Sequence, residues 1–217
     1  KGDTDSRPLF TIDQKGIFEK EIDKAVADKQ VDFAVHSLKD VPSQLDSNLV
    51  IACIPKRETV NDVIISKDGS NLDSIISEGV VGTSSLRRAV QIMRKRPDLK
   101  VKPIRGNIET RISKASGENY DAIVLAQAGI TRLGVDVKFS PLSIDDFSPS
   151  PGQGAIAIVA RADDSQTIEM LKTIEDSDSC LEIEAERAFS LGFVITVYLD
   201  VRGNVSVLLQ PTACCRF

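Results

Sequence analysis

VVGTSSLRRAVQIMRKRP, residues 80–97, is the stretch on which the reading of the fold turns. Val80–Gly82 is a short apolar run that stops at a glycine. Thr83, Ser84 and Ser85 follow, and either of the last two offers a side-chain oxygen for a helix N-cap. From Leu86 the pattern is helical until Pro97 ends it. The segment therefore reads strand, turn, helix. It carries one anomaly. Arg87 and Arg88 fall in the first turn, beside the positive end of the backbone dipole, where each cation costs a few tenths to about 1 kcal/mol.

The same rhythm extends outward in both directions. KGIFEKEIDKAVADK (15–29) reads as a helix, with Phe18, Ile22, Ala25 and Val26 on one face. VDFAV (31–35), LVIACI (49–54) and DVIIS (62–66) read as strands. VKPI (101–104) is extended and leads through RGN to a helix near 108–116. DAIVLAQAG (121–129) passes from strand to helix, GAIAIVA (154–160) is a strand, and 165–175 and 181–190 are helical. VITVYLD-VRG-NVSVLL reads as a terminal β-hairpin. Strands alternating with helices imply an α/β fold with mainly parallel sheets covered on both faces. Ligands of such sheets bind beyond the carboxyl ends of the strands. The segments to read for chemistry are then HSLKDVP, GTSSLRR, IRGN and LAQAG.

Composition narrows the function classes. The 217 residues carry a formal net charge of −5, and only 5% are aromatic, which argues against general nucleic-acid binding. Hydrophobic and charged fractions of 41% and 27% are those of a chain with a sizeable core. No apolar run approaches the roughly 20 residues of a membrane span, and no signal peptide is visible. The sequence opens Lys1-Gly2-Asp3 rather than with Met, so the natural N-terminus is expected to lie upstream. Cys53, Cys180, Cys214 and Cys215 show no metal-ligand spacing, and adjacent Cys214 and Cys215 are poorly placed to bridge. Free thiols in a reducing compartment are expected.

The strand ends contribute Lys39, Asp40, Arg87, Arg88 and Arg105. Arg111 lies about a turn into the next helix, and Arg132 follows LAQAG. If the sheets converge, these cations share one cleft. Guanidinium groups capture carboxylate or phosphate bidentately, the hydroxyls of Thr83, Ser84 and Ser85 stand beside them, and a helix N-terminus adds free N–H donors. The competing reading, scattered surface arginines, serves for any one of them and weakens for the whole set. Asp40 is open to three readings: a buried counter-ion, a turn residue before Pro42, or the group that stabilises a cationic intermediate. Spacing alone favours the first two. His36, the single histidine, reads as structural, and RGN at 202–204 reads as a hairpin turn.

HSLKDVP, GTSSLRRA, RGNIETR, AGITRLG, PGQGAIAI and EAERAF, in this order and at these spacings, resemble the porphobilinogen deaminase (hydroxymethylbilane synthase) family over most of the chain. The resemblance implies a three-domain α/β protein. Its first two domains are similar to the lobes of periplasmic binding proteins, and a small α+β third domain follows. On this basis residues 1–55 and 149–172 form domain 1, 56–148 domain 2, and 177–217 an incomplete domain 3. It also implies a cytoplasmic, monomeric transferase of haem and other tetrapyrrole biosynthesis, with no metal and no nucleic-acid or membrane partner. Such an enzyme joins four porphobilinogen molecules head to tail, with loss of ammonia, on a dipyrromethane cofactor held by a cysteine, and releases 1-hydroxymethylbilane. By the family's motifs Lys39, Ser85, Arg87, Arg88, Arg105, Arg111 and Arg132 would bind substrate and cofactor carboxylates, with Lys15 nearby. Ser37, Thr83, Ser84, Gly106, Asn107 and Gln153 belong to the same motifs and are assigned to the same site. Asp40 matches the family's catalytic aspartate, which reverses the preference from spacing.

Three departures stand out. Members read further upstream of the KGD segment. Thr11 stands where many have a second lysine. After AERAF the family's Gly-Gly-Cys-x-x-Pro loop is replaced by FSLGFVITVYLD, so no cysteine matches the attachment position. Either the cysteine loop is missing from this sequence or the protein lacks the anchor, and the intact arginine set favours the first. The alternative functions are a non-catalytic two-lobed anion-binding protein and an inactive relative without the cofactor cysteine.

Overall fold

The computed structural model describes residues 17–117, 119–199 and 205–211, with side chains from 20 to 117 and 119 to 190. Among these residues the chain forms two compact units. Glu58–Gly154 make a continuous unit; residues 17–57 and 155–211 make a split one.

The split unit begins with helix α1 (Ile17–Ala27), strand β1 (Phe33–Ser37), a 3-10 turn at Leu38–Asp40 and β2 (Leu49–Cys53). The continuous unit follows with β3 (Asp62–Ser66), β4 (Val80–Gly82), α2 (Leu86–Lys95), β5 (Lys100–Lys102), α3 (Ile108–Ala115), β6 (Ala122–Ala126), α4 (Gln127–Leu133) and β7 (Ser140–Pro141). The chain then returns to the split unit for β8 (Ile156–Arg161), α5 (Ser165–Lys172), α6 (Ser177–Gly192), β9 (Phe193–Leu199) and β10 (Val205–Pro211).

In the continuous unit the strand order is β5-β4-β6-β3-β7. Alternate residues serve opposite faces. Ile64, Ala122 and Val124 pack with Ile92 of α2 and with Leu72, Leu99 and Phe147. Val63, Ile65, Ile123 and Leu125 pack with Ile130 of α4 and with Ile108, Ile112 and Ala115 of α3. Burial on both faces makes β3 and β6 unbroken apolar runs. In the split unit the order is β1-β8-β2. Val26 of α1 packs with Ala34, Leu49 and Val159, while Leu171 of α5 packs with Ala52, Cys53, Ile158 and Ala160. β9 and β10 form the expected hairpin, paired antiparallel from Phe193↔Pro211 to Leu199↔Val205. Its expected RGN turn lies outside the described residues.

The α/β class holds, but mainly parallel pairing describes only part of it. β4 runs parallel to β5 and to β6. β3 is antiparallel to β6 and β7, and β8 is antiparallel to both β1 and β2. The helical connections β4–α2–β5 and β5–α3–β6 each return the chain to the same end of the sheet, so β4, β5 and β6 share one direction. β3 and β8 each follow a passage of the chain from one unit to the other, with no crossover helix to fix their direction. Two-sided burial gives the same apolar run whichever way a strand points, so the pattern does not report it.

No helix among the described residues is long and apolar enough to cross a membrane.

Candidate anion site

Because β4, β5 and β6 are parallel, the segments leaving their carboxyl ends emerge at one edge of the sheet. The antiparallel strand β3 starts at that same edge, with Asp62 opposite Ala126. Asp62 is 1% exposed. Its Oδ2 accepts from Arg87 Nη2 at 2.7 Å and its Oδ1 from Arg88 Nη2 at 2.6 Å. Gln153 Nε2 donates to Oδ1 at 2.9 Å and to the Val60 carbonyl at 2.6 Å. Burial works to raise the Asp62 pKa, but the hydrogen bond and charge of Arg88, then those of Arg87, outweigh it and hold the carboxyl below the usual range.

Sequence reasoning missed Asp62, which answers part of the opening anomaly. The two arginines in the first turn of α2 are met by a buried carboxylate from another strand. The signal that could have found it is an ionisable residue abutting the apolar run VIIS at a fully buried strand end.

One carboxylate does not neutralise the cluster. Arg88 is 7% exposed, and its Nε is buried with no acceptor among the described residues. Arg111 Nε donates to the Gly106 carbonyl at 2.6 Å. Burial, and then the charge of nearby Arg88, push its pKa down, so the guanidinium is held where its charge is under-compensated. Arg105 Nη2 is likewise buried without a partner among the described residues. Two guanidinium groups, of Arg87 and Arg88, thus share one carboxylate, and a third, of Arg111, lies near enough to feel the charge of Arg88. A desolvated excess of positive charge with unused donors is a receptor for an anion.

The other expected residues of this unit have local partners. Ser85 Oγ caps α2 by accepting from Arg88 N, Thr83 Oγ1 accepts from Ser85 N, and Ser84 Oγ joins the Ile104 carbonyl and amide. Asn107 caps α3 through Thr110 N. Arg132 Nη2 donates to the Gly154 carbonyl at 2.6 Å. These groups fix the loops that carry the arginines.

Ser37, Lys39 and Asp40 belong to the split unit. All three are exposed at the end of β1. Buried Leu38 and Val41 anchor the turn, Leu38 N donates to the Ala155 carbonyl at 3.0 Å, and Arg187 Nη2 donates to the carbonyls of Pro42 and Ser43. His36 is buried against Asp23, with Nε2 to Oδ1 at 2.9 Å, and ties β1 to α1. Lys15 lies outside the described residues. Among the described residues no group of three or more His, Cys, Asp or Glu could hold a metal ion.

Residues 1–169 match the family model described as porphobilinogen deaminase, dipyromethane cofactor binding domain. The chain belongs to the porphobilinogen deaminase family. It is 84% identical over 190 residues to a probable porphobilinogen deaminase of Nitrosopumilus maritimus, an overlap of 88% of this chain and 61% of that one. A porphobilinogen deaminase of Brevibacillus brevis is 47% identical over 182 residues, 83% of this chain and 59% of its own. The chain therefore spans less than two thirds of the length of these relatives. Among solved structures, the methionine-binding protein MetQ aligns with a TM-score of 0.48 at 11% identity, over 76% of this chain and 78% of that one.

The porphobilinogen deaminase model that matches is named for a dipyrromethane, and the residues present fit its carboxylates better than its attachment. The orphaned donors of Arg88 and Arg105 and the uncompensated Arg111 suit an acidic group. The described cysteines do not suit a tether. Cys53 is buried, and burial, with Glu175 and Cys180 nearby, pushes its thiol up to about 11. Burial and Glu175 raise the Cys180 thiol as well. Thiolate forms only as pH nears a raised pKa, so Cys53 in native protein resists iodoacetamide at about pH 7.5 and labels on unfolding. Mass spectrometry of the labelled protein checks this, and prompt stoichiometric modification of native Cys53 refutes it. Cys214 and Cys215 lie outside the described residues.

Proposed function

We propose that the protein of which this chain is part is a hydroxymethylbilane synthase, which condenses four porphobilinogen molecules, with release of ammonia, into linear 1-hydroxymethylbilane. The observation that carries this is the cluster in which Arg87 and Arg88 share the buried Asp62 carboxylate while Arg111 lies beside Arg88. Its excess of two positive charges suits porphobilinogen, whose acetate and propionate make each unit doubly anionic at the carboxylates. Arg87, Arg88, Arg105 and Arg111 bind the carboxylates of substrate and of the dipyrromethane, which supplies the primer on which the chain grows. Arg132, Gly106, Asn107, Gln153 and the hydroxyls of Thr83, Ser84 and Ser85 support that binding, and Ser37 and Lys39 of the split unit are assigned to carboxylate binding as well.

Asp40 is assigned the catalytic role. Loss of ammonia develops positive charge on the substrate pyrrole, and a fixed carboxylate stabilises that charge and the pyrrole N–H in the transition state. Residues 177–217 are read as the beginning of a third domain, and the protein as a cytoplasmic monomer.

The test is the intact mass of the full-length protein together with its turnover of porphobilinogen. The proposal expects a mass above that of the polypeptide by a covalent dipyrrole, colour with an Ehrlich-type aldehyde, and ammonia release. A bare polypeptide mass with no turnover refutes it.

A further inference from the structure

We propose that Asp62 is a positioning residue for anion capture, which splays Arg87 and Arg88 from a single buried carboxylate so that their remaining N–H groups meet a ligand as a preset fork. This rests on reading the arginine cluster as an anion site. It goes beyond that reading by giving a role to a residue that touches no ligand.

The geometry supports it at each oxygen. Oδ2 takes Arg87, and Oδ1 takes Arg88 and Gln153, so each of the three donors has its own direction. Arg87 is held a second time, where Nη1 donates to the Ser148 carbonyl at 2.5 Å. Arg88 Nη1 reaches the Val124 carbonyl at 3.3 Å. With these bonds made, the guanidinium planes cannot rotate freely, and the entropy of ordering two long side chains is spent at folding rather than at binding. The side chain of Asp62 is 0% exposed while that of Arg87 is 24% exposed. The carboxylate therefore supports the fork from behind, and the arginine presents it.

A purely structural ion pair would predict a different outcome when its charge is removed. In Asp62→Asn the remaining carbonyl oxygen can keep Arg88 and Gln153, but the new NH2 faces Arg87 donor to donor and releases it. The site becomes more positive while losing its fork. If charge alone governed binding, affinity would rise; if positioning governs it, affinity falls.

The experiment is calorimetric titration of the full-length protein with inorganic pyrophosphate, a probe that assumes nothing about porphobilinogen, in a double-variant cycle of Asp62→Asn and Arg87→Gln. Each single variant is expected to weaken binding about tenfold, the scale of one charge-assisted hydrogen bond. The double variant is expected to bind no worse than Arg87→Gln alone, because Asp62 acts through Arg87. Unchanged or tighter binding in Asp62→Asn, additive losses in the pair, or no pyrophosphate binding by the natural protein overturns the proposal. Should Asp62→Asn fail to fold, Arg87→Lys decides, since it keeps the charge and loses the fork. A loss matching that of Arg87→Gln supports positioning, and near-natural affinity overturns it. Porphobilinogen turnover, measured separately, reports on the enzymatic reading; its absence alongside normal pyrophosphate binding removes that reading and leaves Asp62 in place.

Discussion

Gly154→Ala is expected to destabilise the protein by at least about 3 kcal/mol. Gly154 has φ +84, a left-handed conformation that costs an L-residue roughly 1–2 kcal/mol. Space is the larger obstacle. A Cβ there would lie 2.3 Å from the Glu58 carbonyl oxygen and 2.7 Å from that of Thr59. Both neighbours are backbone, so no side chain can turn away. The surrounding bonds fix the approach, since Glu58 N donates to the Gly154 carbonyl at 3.0 Å and Arg132 donates to the same oxygen. Relief must come from moving the segment that enters β3, and with it Asp62. At about 2–4 °C per kcal/mol for a chain of this size, the melting temperature should fall by roughly 6–12 °C. Gly134→Ala is the control. Gly134 has φ +61 but nothing within 4 Å of its would-be Cβ, so only the conformational cost applies. Equal melting temperatures for the two variants would show that the contact with Glu58 does not constrain the fold.

Asp40→Asn is expected to reduce porphobilinogen turnover by about 10²–10³-fold, the loss typical when one preorganised electrostatic group is removed. The substitution keeps shape and removes charge. The turn has other anchors: Leu38 and Val41 are buried, Val41 N bonds to the Leu38 carbonyl, and Arg187 holds the next two carbonyls. Substitutions at exposed positions usually change stability by about 0.5 kcal/mol, small beside the expected loss of turnover. Turnover and thermal denaturation should therefore separate cleanly. Turnover within tenfold of the natural protein would remove Asp40 from the catalytic role, and a parallel fall in melting temperature would make it structural.

The local elements were legible from sequence because their signals are local. Apolar period, a cap at Ser84 or Ser85 and the Pro97 stop place α2 within a residue, with Ser85 the cap that forms, and Asn107 starts α3 where RGN indicated. Strand direction was not legible, since β3 and β8 owe it to long-range connection. The same gap hid Asp62. A parallel β3 would have delivered its far end to the arginines, whereas the antiparallel strand delivers its first residue. The partner of Arg88 lies 26 residues away in sequence, and no spacing rule reaches that far. Asp23, the partner of His36, was missed for a related reason, because an acidic residue on an amphipathic helix looks like a solvated one until the strand beside it is known.

The central position of β8 has a consequence for how the protein is made. β1 and β2 do not pair with each other; both pair with β8, which follows the whole of the continuous unit in sequence. As the chain leaves the ribosome, residues 58–154 are complete and can fold while the earlier sheet still lacks its middle strand. Among the described residues, β1 and β2 must wait for β8 before this sheet can close. Sheets closed by such distant segments form slowly and are exposed to wrong pairing meanwhile. Nascent β1 and β2 thus stay without their shared partner strand until the whole arginine-bearing unit has been made.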